Sequence, residues 1–373
     1  MKKMADRFFI AGCAAVVAAF GISVILREHK SFSEDENRVL SRFPKISAES
    51  ILSGDFSYRL GKFYEDQFPL RRAFTSFKSL SERAMLRGEN NGVIFGADGY
   101  LIKAHRYEDF ALYIENLSAI DAFCKKYGAE GIETEVFFAP RGVDVLKDKL
   151  PKLYSNSEDR YLWDMASDKL PELLSANSEI ETAAGGGEYV WYRNDHHWTP
   201  FGAYEGYKKI ISRLGDEAKD ISSFDYECIS REFFGSVWSE SGISGGVADE
   251  LFVLRGEGEY SVINYDTGEI YDDFYFMEKA STKDKYAVFL GGNFGHIGIY
   301  REGARDTLVV IKDSFANCLV PFLSCHFNIE IYDLRYFEGR IGEEIEKEKA
   351  DKILIIYGID TVATDASLRL LGR

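Results

Sequence analysis

Two adjacent histidines stand between an aspartate and a tryptophan in the sequence DHHW at positions 195–198, in a chain with only six histidines. In an extended chain, residues two apart point to the same side. Asp195 and His197 should therefore share one side, with His196 and Trp198 on the other. A carboxylate beside a histidine can hold the imidazole ring and fix which nitrogen carries the proton. The pattern suggests a general base with an orienting aspartate.

A nucleophile for such a base is predicted in the sequence VVIKDSFAN, where Ser314 closely follows an apolar, β-branched run. Functional residues of open α/β sheets lie at the carboxyl ends of strands. Backbone N–H groups at the start of the following helix, including that of Phe315, can stabilise an oxyanion. Three further residues are candidates for oxyanion or substrate binding: Asn293 in the turn GGN, Arg141 after a predicted strand, and His196.

Two other interpretations of DHHW remain open on the residues alone. Adjacent histidines can ligate a metal. Their side chains should diverge in an extended segment, however, and no HExxH motif accompanies them, so we expect no metal and no cofactor. Alternatively, the segment is a buried turn that satisfies its own hydrogen bonds, with Trp198 in the core.

The elements around these residues alternate between strands and helices. Thr199 and Pro200 predict the start of a helix over 200–214. The remaining predictions are a hairpin over 92–103, a helix over 113–129, strands at 135–140, 188–192, 306–311, 329–335 and 352–358, and helices at 315–327 and 341–350. This order predicts an α/β fold with a mainly parallel sheet flanked by helices.

The N-terminal region predicts a membrane anchor. Residues 8–26 carry no charge, and a helix of that length spans roughly 28 Å, close to the hydrocarbon core of a bilayer. Lys2, Lys3 and Arg7 precede the run, so the N-terminus should stay in the cytoplasm and the rest should be exported. We expect three parts: a tip and uncleaved anchor over 1–30, a juxtamembrane helical segment over 31–90, and a main domain over 91–373 with a β-rich insertion at about 220–280.

Composition excludes several classes of function. The formal net charge of −16 argues against binding the phosphate backbone of nucleic acids. The hydrophobic content of 46% is ample for a packed core and unlike that of a disordered chain. The five cysteines form no CxxC pair, so a structural zinc site is not expected.

Several segments, in order along the chain, resemble sequence blocks of one family: SEDENRVLSRFP, GVIFGADGYLI, NDHHWTPFGAY and VIKDSFAN. The chain resembles the DHHW family, which is similar to alginate O-acetylation proteins of the AlgX and AlgJ type. That resemblance implies an SGNH-hydrolase-like, flavodoxin-like domain whose acid–x–His motif precedes the serine, a circularly permuted order. Carried over to this chain, Ser314 is the nucleophile, His197 the base and Asp195 its orienting residue. Lys312 departs from the pattern, because KDS stands where typical SGNH enzymes have GDS.

The resemblance also implies a function. We expect a single-pass protein of the cell membrane whose domain outside the cytoplasm transfers acetyl groups to a cell-envelope or secreted polysaccharide. A membrane-bound O-acyltransferase would be its partner and supply the acyl group. If water replaced the sugar hydroxyl, the same triad would make an esterase. The alternative from another class is a non-catalytic glycan-binding or scaffold protein of the cell envelope.

Overall fold

The computed structural model of the chain describes residues 2–33, 38–107, 109–155, 157–304 and 306–372. These residues form two compact units. One unit comprises Met1–Arg87 with Ser239–Gly245, and the other comprises Gly88–Trp238 with Gly246–Arg373.

The first unit is helical, as its apolar periodicity predicts. Ser47 accepts a hydrogen bond from the N–H of Ser50 and so starts a helix, and Pro69 lies between the two longest helices after the N-terminal one. Its elements are α1 (Lys2–Leu26), α2 (Ala48–Leu52), α3 (Asp55–Gln67) and α4 (Arg71–Ala84), with β1 (Phe32–Ser33) and β2 (Arg38–Val39). Within the described residues, one helix is long and apolar enough to cross a membrane, over Met4–Leu26.

The second unit alternates strands and helices. Its strands are β3 (Glu89–Asn90), β4 (Val93–Phe95), β5 (Leu101–Lys103), β6 (Glu133–Ala139), β7 (Asp225–Phe233), β8 (Asp249–Arg255), β9 (Tyr260–Asn264), β10 (Glu269–Tyr271), β11 (His296–Arg301), β12 (Thr307–Lys312), β13 (Asn328–Tyr332) and β14 (Lys352–Gly358). The helices that lie wholly in this unit are α5 (Ala111–Ala129), α6 (Gly142–Val145), α7 (Ser157–Lys169), α8 (Asn177–Gly185), α9 (Pro200–Arg213), α11 (Val320–Leu323), α12 (Ile341–Glu348) and α13 (Ile359–Thr364). Helix α10 (Ser236–Ser241) begins in this unit and ends in the segment Ser239–Gly245, which is assigned to the first unit.

The central sheet is mixed. Its seven strands run in the order β10-β9-β11-β13-β12-β14-β6. Strands β13, β12, β14 and β6 pair in parallel, whereas β11, β9 and β10 continue the sheet with antiparallel pairs. The prediction of a mainly parallel sheet is therefore correct only for β13, β12, β14 and β6. The reason is that β9 and β10 come from region 220–280, which was interpreted as an insertion but supplies a hairpin to the main sheet.

The parallel part of the sheet is buried on both faces. Leu308 and Val310 pack into one apolar cluster with side chains of α9, whereas Val309 and Ile311 pack into another with side chains of α5 and α12. Alternation of side chains along a strand produces these two faces, and their β-branched residues suit a doubly covered parallel sheet. The carboxyl end of β12 is thus rigidly held.

Two local predictions are wrong. Residues 188–192 form no strand; only an isolated antiparallel bridge joins Trp191 to Trp198, because the chain turns back between them. The predicted helix over 315–327 is instead a 3-10 helix, Ser314–Cys318, followed by the single turn of α11. Pro321 lies in the first turn of α11, where its missing N–H costs no hydrogen bond, and this divides the segment.

Candidate functional site

Ser314 lies at the carboxyl end of β12, at the first position of a 3-10 helix. The carboxylate of Asp313 caps this helix by accepting a hydrogen bond from the N–H of Phe315 at 2.9 Å. The other carboxylate oxygen of Asp313 accepts from the N–H of Gly358, at the end of β14, at 2.8 Å. Asp313 is fully buried, and burial raises the pKa of its carboxyl group. It joins the serine turn to the neighbouring strand and occupies the Phe315 N–H that was expected to face an oxyanion.

The DHHW segment is held by the start of α9. Thr199 caps this helix through the N–H of Gly202, as its position before Pro200 predicts. Trp198 is fully buried, and its indole N–H donates to the carbonyl of Phe315 at 3.0 Å. The tryptophan is therefore a core residue, as expected, and it also binds the backbone of the serine turn.

Ser314, His197 and Asp195 are joined by hydrogen bonds. The Nε2 atom of His197 lies 2.8 Å from Ser314 Oγ, and its Nδ1 atom lies 2.6 Å from Asp195 Oδ1. Burial alone would raise the pKa of Asp195, but the neighbouring imidazoles of His197 and His196 hold that pKa well below its usual range. An ionised carboxylate only accepts hydrogen bonds, so Nδ1 carries the proton and Nε2 accepts from the serine hydroxyl.

The second carboxylate oxygen of Asp195 is bound by a distant segment. It accepts from the N–H of Ser236 at 2.8 Å and from its hydroxyl at 3.1 Å. The preceding Gly235 lies so close that a Cβ there would be 2.2 Å from Asp195 Oδ2 and 2.5 Å from Asp195 Cβ. Only a glycine permits this approach, which fixes the orientation of the carboxylate.

Asp249 holds the turn before DHHW. Its two carboxylate oxygens accept hydrogen bonds from the Tyr189 hydroxyl and from the backbone N–H groups of Arg193 and Asn194, and Oδ2 also accepts from the Asn194 side chain. The residue is fully buried, and burial raises its pKa. Because these bonds bend the chain, the segment is not extended as the sequence analysis assumed.

His196 consequently lies beside His197 rather than on the opposite side. The two rings are 3.8 Å apart, and His196 Nδ1 is 2.6 Å from the hydroxyl of Ser236. Burial lowers the pKa of His196 to about 4, so the ring is neutral near neutral pH. It is His197, not His196, that makes the hydrogen bond to Ser314.

The expected divergence of the histidines is therefore wrong. One donor atom each from Asp195, His196 and His197 lie within 4.8 Å of one another, a spacing that a metal ion could bridge. In this structure the Asp195 and His197 donors bond each other, and both histidines also bond serine hydroxyls. Hydrogen bonds thus engage all three residues of the set.

Asn293 lies beside the serine helix. Its Oδ1 atom accepts from the ammonium group of Lys312 at 3.0 Å and from the side-chain amide of Asn317 at 3.2 Å. Lys312 is the buried residue that replaces the usual glycine of the GDS pattern, and its Nζ atom also contacts Asn317 Oδ1 at 2.8 Å and Asp333 Oδ2 at 3.5 Å. The Asn293 candidate is thus part of a polar network beside the helix Ser314–Cys318.

Arg141 lies at a small pocket next to His196. It forms a buried, bidentate ion pair with Asp144, with N···O distances of 2.9 and 3.1 Å. The pocket combines charged and aromatic residues, and its lining includes Lys103, His105, Arg141, Trp191, His196, Phe315 and Asp360. Arg141 is thus adjacent to the site, with its charge already balanced by Asp144.

Sequence models of two protein families match the chain. The DHHW protein family matches residues 180–333, and the SGNH hydrolase-like domain of acetyltransferase AlgX matches residues 93–227. Over the first of these regions the chain is similar to the DHHW protein family. The first matched region contains all three residues of the hydrogen-bonded set, and the second contains two of them.

The chain is also similar to a probable alginate O-acetylase AlgJ of Pseudomonas fluorescens, 24% identical over 179 residues. The match covers 45% of each chain, so the protein spans less than half the length of the curated relatives it matches. Two solved structures share its fold, at 20% identity and 76% coverage of this chain. They are a DHHW family protein from Eubacterium siraeum DSM 15702 (TM-score 0.64, 96% of that chain) and Bacillus cereus PatB1 with a sulfonyl adduct (TM-score 0.60, 99% of that chain).

Four residues that position the site were not found from the sequence. Gly235, Ser236 and Asp249 lie in the region interpreted as an insertion, where glycines, serines and acids are frequent and no spacing distinguishes them. Tyr286 is the fourth: its ring stacks on that of His197 at 3.9 Å between centroids, and its hydroxyl donates to Cys318 Sγ at 3.3 Å. The stacked ring covers one face of the imidazole and limits its rotation.

Proposed function

We propose that this protein is an acyl-transfer enzyme with Ser314 as nucleophile, His197 as general base and Asp195 as the residue that orients it. One observation carries the proposal: the continuous hydrogen-bonded path from Ser314 Oγ through His197 to Asp195, with distances of 2.8 and 2.6 Å. These residues arise from separate parts of the chain, and Ser314 follows the carboxyl end of a parallel strand, where α/β enzymes place their chemistry.

The chemistry proceeds in two steps. His197 Nε2 takes the proton of Ser314 Oγ, the oxygen attacks the carbonyl carbon of an acyl donor, and the protonated imidazole returns the proton to the leaving group. An acyl-serine ester remains. His197 then deprotonates an acceptor hydroxyl, which attacks the ester, and Ser314 recovers its proton. Asn293 is proposed to donate to the oxyanion formed in each step, because the Phe315 N–H is engaged by Asp313.

The acceptor is proposed to be a cell-envelope or secreted polysaccharide, and the transferred group acetyl. The support is the similarity to AlgJ, a protein named as a probable alginate O-acetylase, and to the AlgX acetyltransferase domain. Arg141 and His196, beside the pocket next to the triad, are proposed substrate-contacting residues. The order of Asp195 and His197 before Ser314 is interpreted as a circular permutation of the SGNH pattern.

The location is proposed from the apolar helix Met4–Leu26 and the basic residues before it. In this proposal residues 1–30 form the cytoplasmic tip and anchor, 31–90 the juxtamembrane segment, and 91–373 the catalytic domain outside the cytoplasm. The acyl group is supplied by a membrane-bound O-acyltransferase. A reporter enzyme fused to the C-terminal end should be active only outside the cytoplasm, and cytoplasmic activity would contradict both the topology and the substrate.

The test uses the full-length protein in detergent with an activated acetyl ester. Ser314→Ala and His197→Ala should each lower the rate of acetate release by several orders of magnitude, because triad members act as a unit. Ser178→Ala, at an exposed position on α8, is the matched control and should leave the rate unchanged. A sulfonyl fluoride should label the wild type on Ser314, as seen by peptide mass spectrometry, and should not label Ser314→Ala.

Equal rates for the wild type and Ser314→Ala would reject the acyl-transfer proposal and favour a glycan-binding or scaffold role. Transferase and esterase are separated by supplying a polysaccharide acceptor with the acetyl donor. Acetyl groups that appear on the polysaccharide, in a Ser314-dependent manner, support transfer. Acetate release with no acetylated polysaccharide would make the protein an esterase.

A further inference from the structure

Helix α4 has its polar side buried and its apolar side exposed, the reverse of a helix on a water-soluble protein. Ser79 is fully buried and donates to the carbonyl of Ser241, and Ser76 bonds the hydroxyl of Ser244, within the same unit. On the opposite side, the apolar residues recur at helical spacing and form what is called here the α4 stripe: Leu70, Phe74, Phe77 and Leu80.

The α4 stripe is open to its surroundings. Phe77 is 71% exposed, Leu80 54% and Phe74 51%. Isolated exposed apolar residues are common, but a continuous row of large ones on a single helix face marks a contact with lipid or protein. Arginines at positions 71, 72 and 83 on the same helix add positive charge, a composition typical of helices that lie in a membrane interface.

Contacts between α1 and the start of α4 indicate that the stripe meets lipid rather than protein. The ring of Phe20, in the apolar run of α1, stacks on Phe68 at 5.1 Å and lies edge-on to Phe74 at 6.1 Å. Phe20 is six residues before the end of α1 at Leu26, which places it roughly 9 Å below that end. The first turn of α4 therefore lies level with a part of α1 that is inside the bilayer when α1 spans it.

We propose that α4 is an interfacial helix whose stripe inserts into the lipid on the same side of the membrane as the main domain. The proposal rests on the membrane anchor included in the proposed function. Burial of the stripe in lipid removes several large apolar side chains from water and holds the segment after the anchor flat against the bilayer.

The test measures quenching of tryptophan fluorescence by brominated lipid, with the full-length protein in lipid nanodiscs. Phe77→Trp reports on the stripe, Val16→Trp on α1, and Tyr161→Trp, at an exposed position on α7, on the aqueous phase. The signal of the unmodified protein is subtracted in each case. Quenching of Phe77→Trp well above that of Tyr161→Trp is expected, together with quenching of Val16→Trp.

Three other outcomes would each contradict one part of the proposal. If Val16→Trp is quenched and Phe77→Trp behaves as Tyr161→Trp, the anchor stands and the interfacial helix is wrong. If Phe77→Trp shows blue-shifted emission without quenching, the stripe is covered by protein rather than lipid. If neither Val16→Trp nor Phe77→Trp is quenched, the anchor itself is rejected.

An independent observation concerns the buried lysine of the KDS sequence. An ammonium group has three donors and no acceptor, so Lys312 requires oxygen atoms around it. It obtains them from Asn293 and Asn317, both through Oδ1, and from Asp333. Burial lowers the pKa of Lys312 to about 8, so the side chain keeps its proton near neutral pH.

This arrangement determines the orientation of the Asn293 amide. Its oxygen accepts from Lys312 and also from Asn317 Nδ2, so its own NH₂ group must face away from both donors. Side chains three apart in a 3-10 helix eclipse each other, so Ser314 and Asn317 share one side of the helix Ser314–Cys318. Asn293 is bound to that side.

We infer that Lys312 is a positioning residue, which turns the amide of Asn293 so that its NH₂ group donates to the oxyanion formed at Ser314. The inference rests on the proposed acyl-transfer function. With glycine at position 312, as in the usual GDS pattern, the side chains of Asn293 and Asn317 would lack the ammonium donor. The lysine and the two asparagines therefore act together.

The test is a double-mutant cycle on kcat with the activated acetyl ester. Lys312→Met and Asn293→Ala should each lower kcat by about 10²-fold with little change in KM, because an oxyanion donor acts on the transition state. The double variant should be no slower than Asn293→Ala, because the lysine acts through the asparagine. Lys312→Arg is the second variant, in case methionine prevents folding, and should retain more activity than Lys312→Met.

Ser314→Ala is measured in parallel, so that the two proposals fail separately. If Ser314→Ala is inactive but the effects of Lys312→Met and Asn293→Ala multiply, the positioning role is wrong and the acyl-transfer proposal stands. A Lys312→Met protein with unchanged kcat has the same consequence. If Ser314→Ala keeps full activity, the acyl-transfer proposal fails first.

Discussion

Replacing Gly235 by alanine should abolish the proposed acyl-transfer activity, although it replaces none of the proposed catalytic residues. The new methyl carbon would lie 2.2 Å from Asp195 Oδ2 and 2.5 Å from Asp195 Cβ, whereas ordinary contacts begin near 3.4 Å. Because the Asp195 Cβ is also too close, rotation of the carboxylate alone does not relieve the overlap. Asp195 or the backbone at 235 must move by about 1 Å.

Such a shift breaks the bond that orients the base. Moving Asp195 Oδ1 by about 1 Å lengthens its 2.6 Å contact with His197 Nδ1 to about 3.6 Å, outside hydrogen-bond range. A misplacement of this size costs about 10²-fold in rate, and complete loss of the orienting carboxylate costs about 10⁴-fold. We therefore expect kcat to fall between 10²- and 10⁴-fold, about 3 to 5 kcal/mol in the activation free energy.

The assay is acetate release from an activated acetyl ester, with thermal unfolding measured on the same samples. Gly128→Ala in α5 is the matched control, because a Cβ there meets no atom within 4 Å. That variant should keep full activity and gain up to about 1 kcal/mol in stability. Asp195→Asn supplies the reference for a lost carboxylate. A folded Gly235→Ala protein within about threefold of the wild-type rate would show that Asp195 does not need this placement, and the reasoning above would fail.

Three further results are expected. The pKa of His196 is lowered to about 4 by burial, so its neutral form stabilises the fold fully above about pH 6.5 and this contribution is lost as the pH falls from 6.5 towards 4. Because the side chain is 29% exposed, solvent screening reduces this contribution to about 2 kcal/mol. Urea unfolding between pH 6.5 and 4 should show that His196→Gln removes this part of the pH dependence of the unfolding free energy, and the same pH dependence in both proteins would contradict it. Asp249→Asn places its NH₂ group against the N–H of either Arg193 or Asn194, since each binds a different carboxylate oxygen, which should cost about 2 to 4 kcal/mol of unfolding free energy and lower kcat; an unchanged Tm would contradict it. A chelator should leave acetate release unchanged, whereas loss of activity that added Zn²⁺ restores would show that Asp195, His196 and His197 act as metal ligands.

The residues joined by hydrogen bonds at the site could be predicted because each lies next to a local signal. Ser314 closely follows an apolar β-branched run, and DHHW directly precedes the helix start marked by Thr199 and Pro200. These signals act over a few residues, and the hydrogen bond from Trp198 to the carbonyl of Phe315 joins the two segments. His197 was preferred over His196 on the assumption of an extended segment and on the family resemblance, and it is His197 that contacts Ser314 Oγ although the segment is bent.

The supporting residues could not be predicted because their partners are remote in sequence. Ser236 reaches Asp195 across 41 residues, and Asp249 reaches Asn194 across 55. Asp249 also bends the chain before DHHW, so the assumption of an extended segment placed His196 on the wrong side. The same limit explains the sheet: nothing local to the hairpin of β9 and β10 indicates that it pairs with β11.

The hydrogen bond between Asp313 and the N–H of Gly358 also affects when, during synthesis of the chain, the proposed site can form. His197 and Ser314 are 117 residues apart in the chain, and the serine turn is anchored to a strand that ends 44 residues later still. A chain synthesised from its N-terminus exposes His197 long before Ser314. Gly358, which binds the serine turn through Asp313, is synthesised later still. No growing intermediate therefore holds a complete site, and folding dominated by such distant pairings is slow. Under the proposed function, catalytic competence would begin only after Gly358 has been synthesised and has bound Asp313.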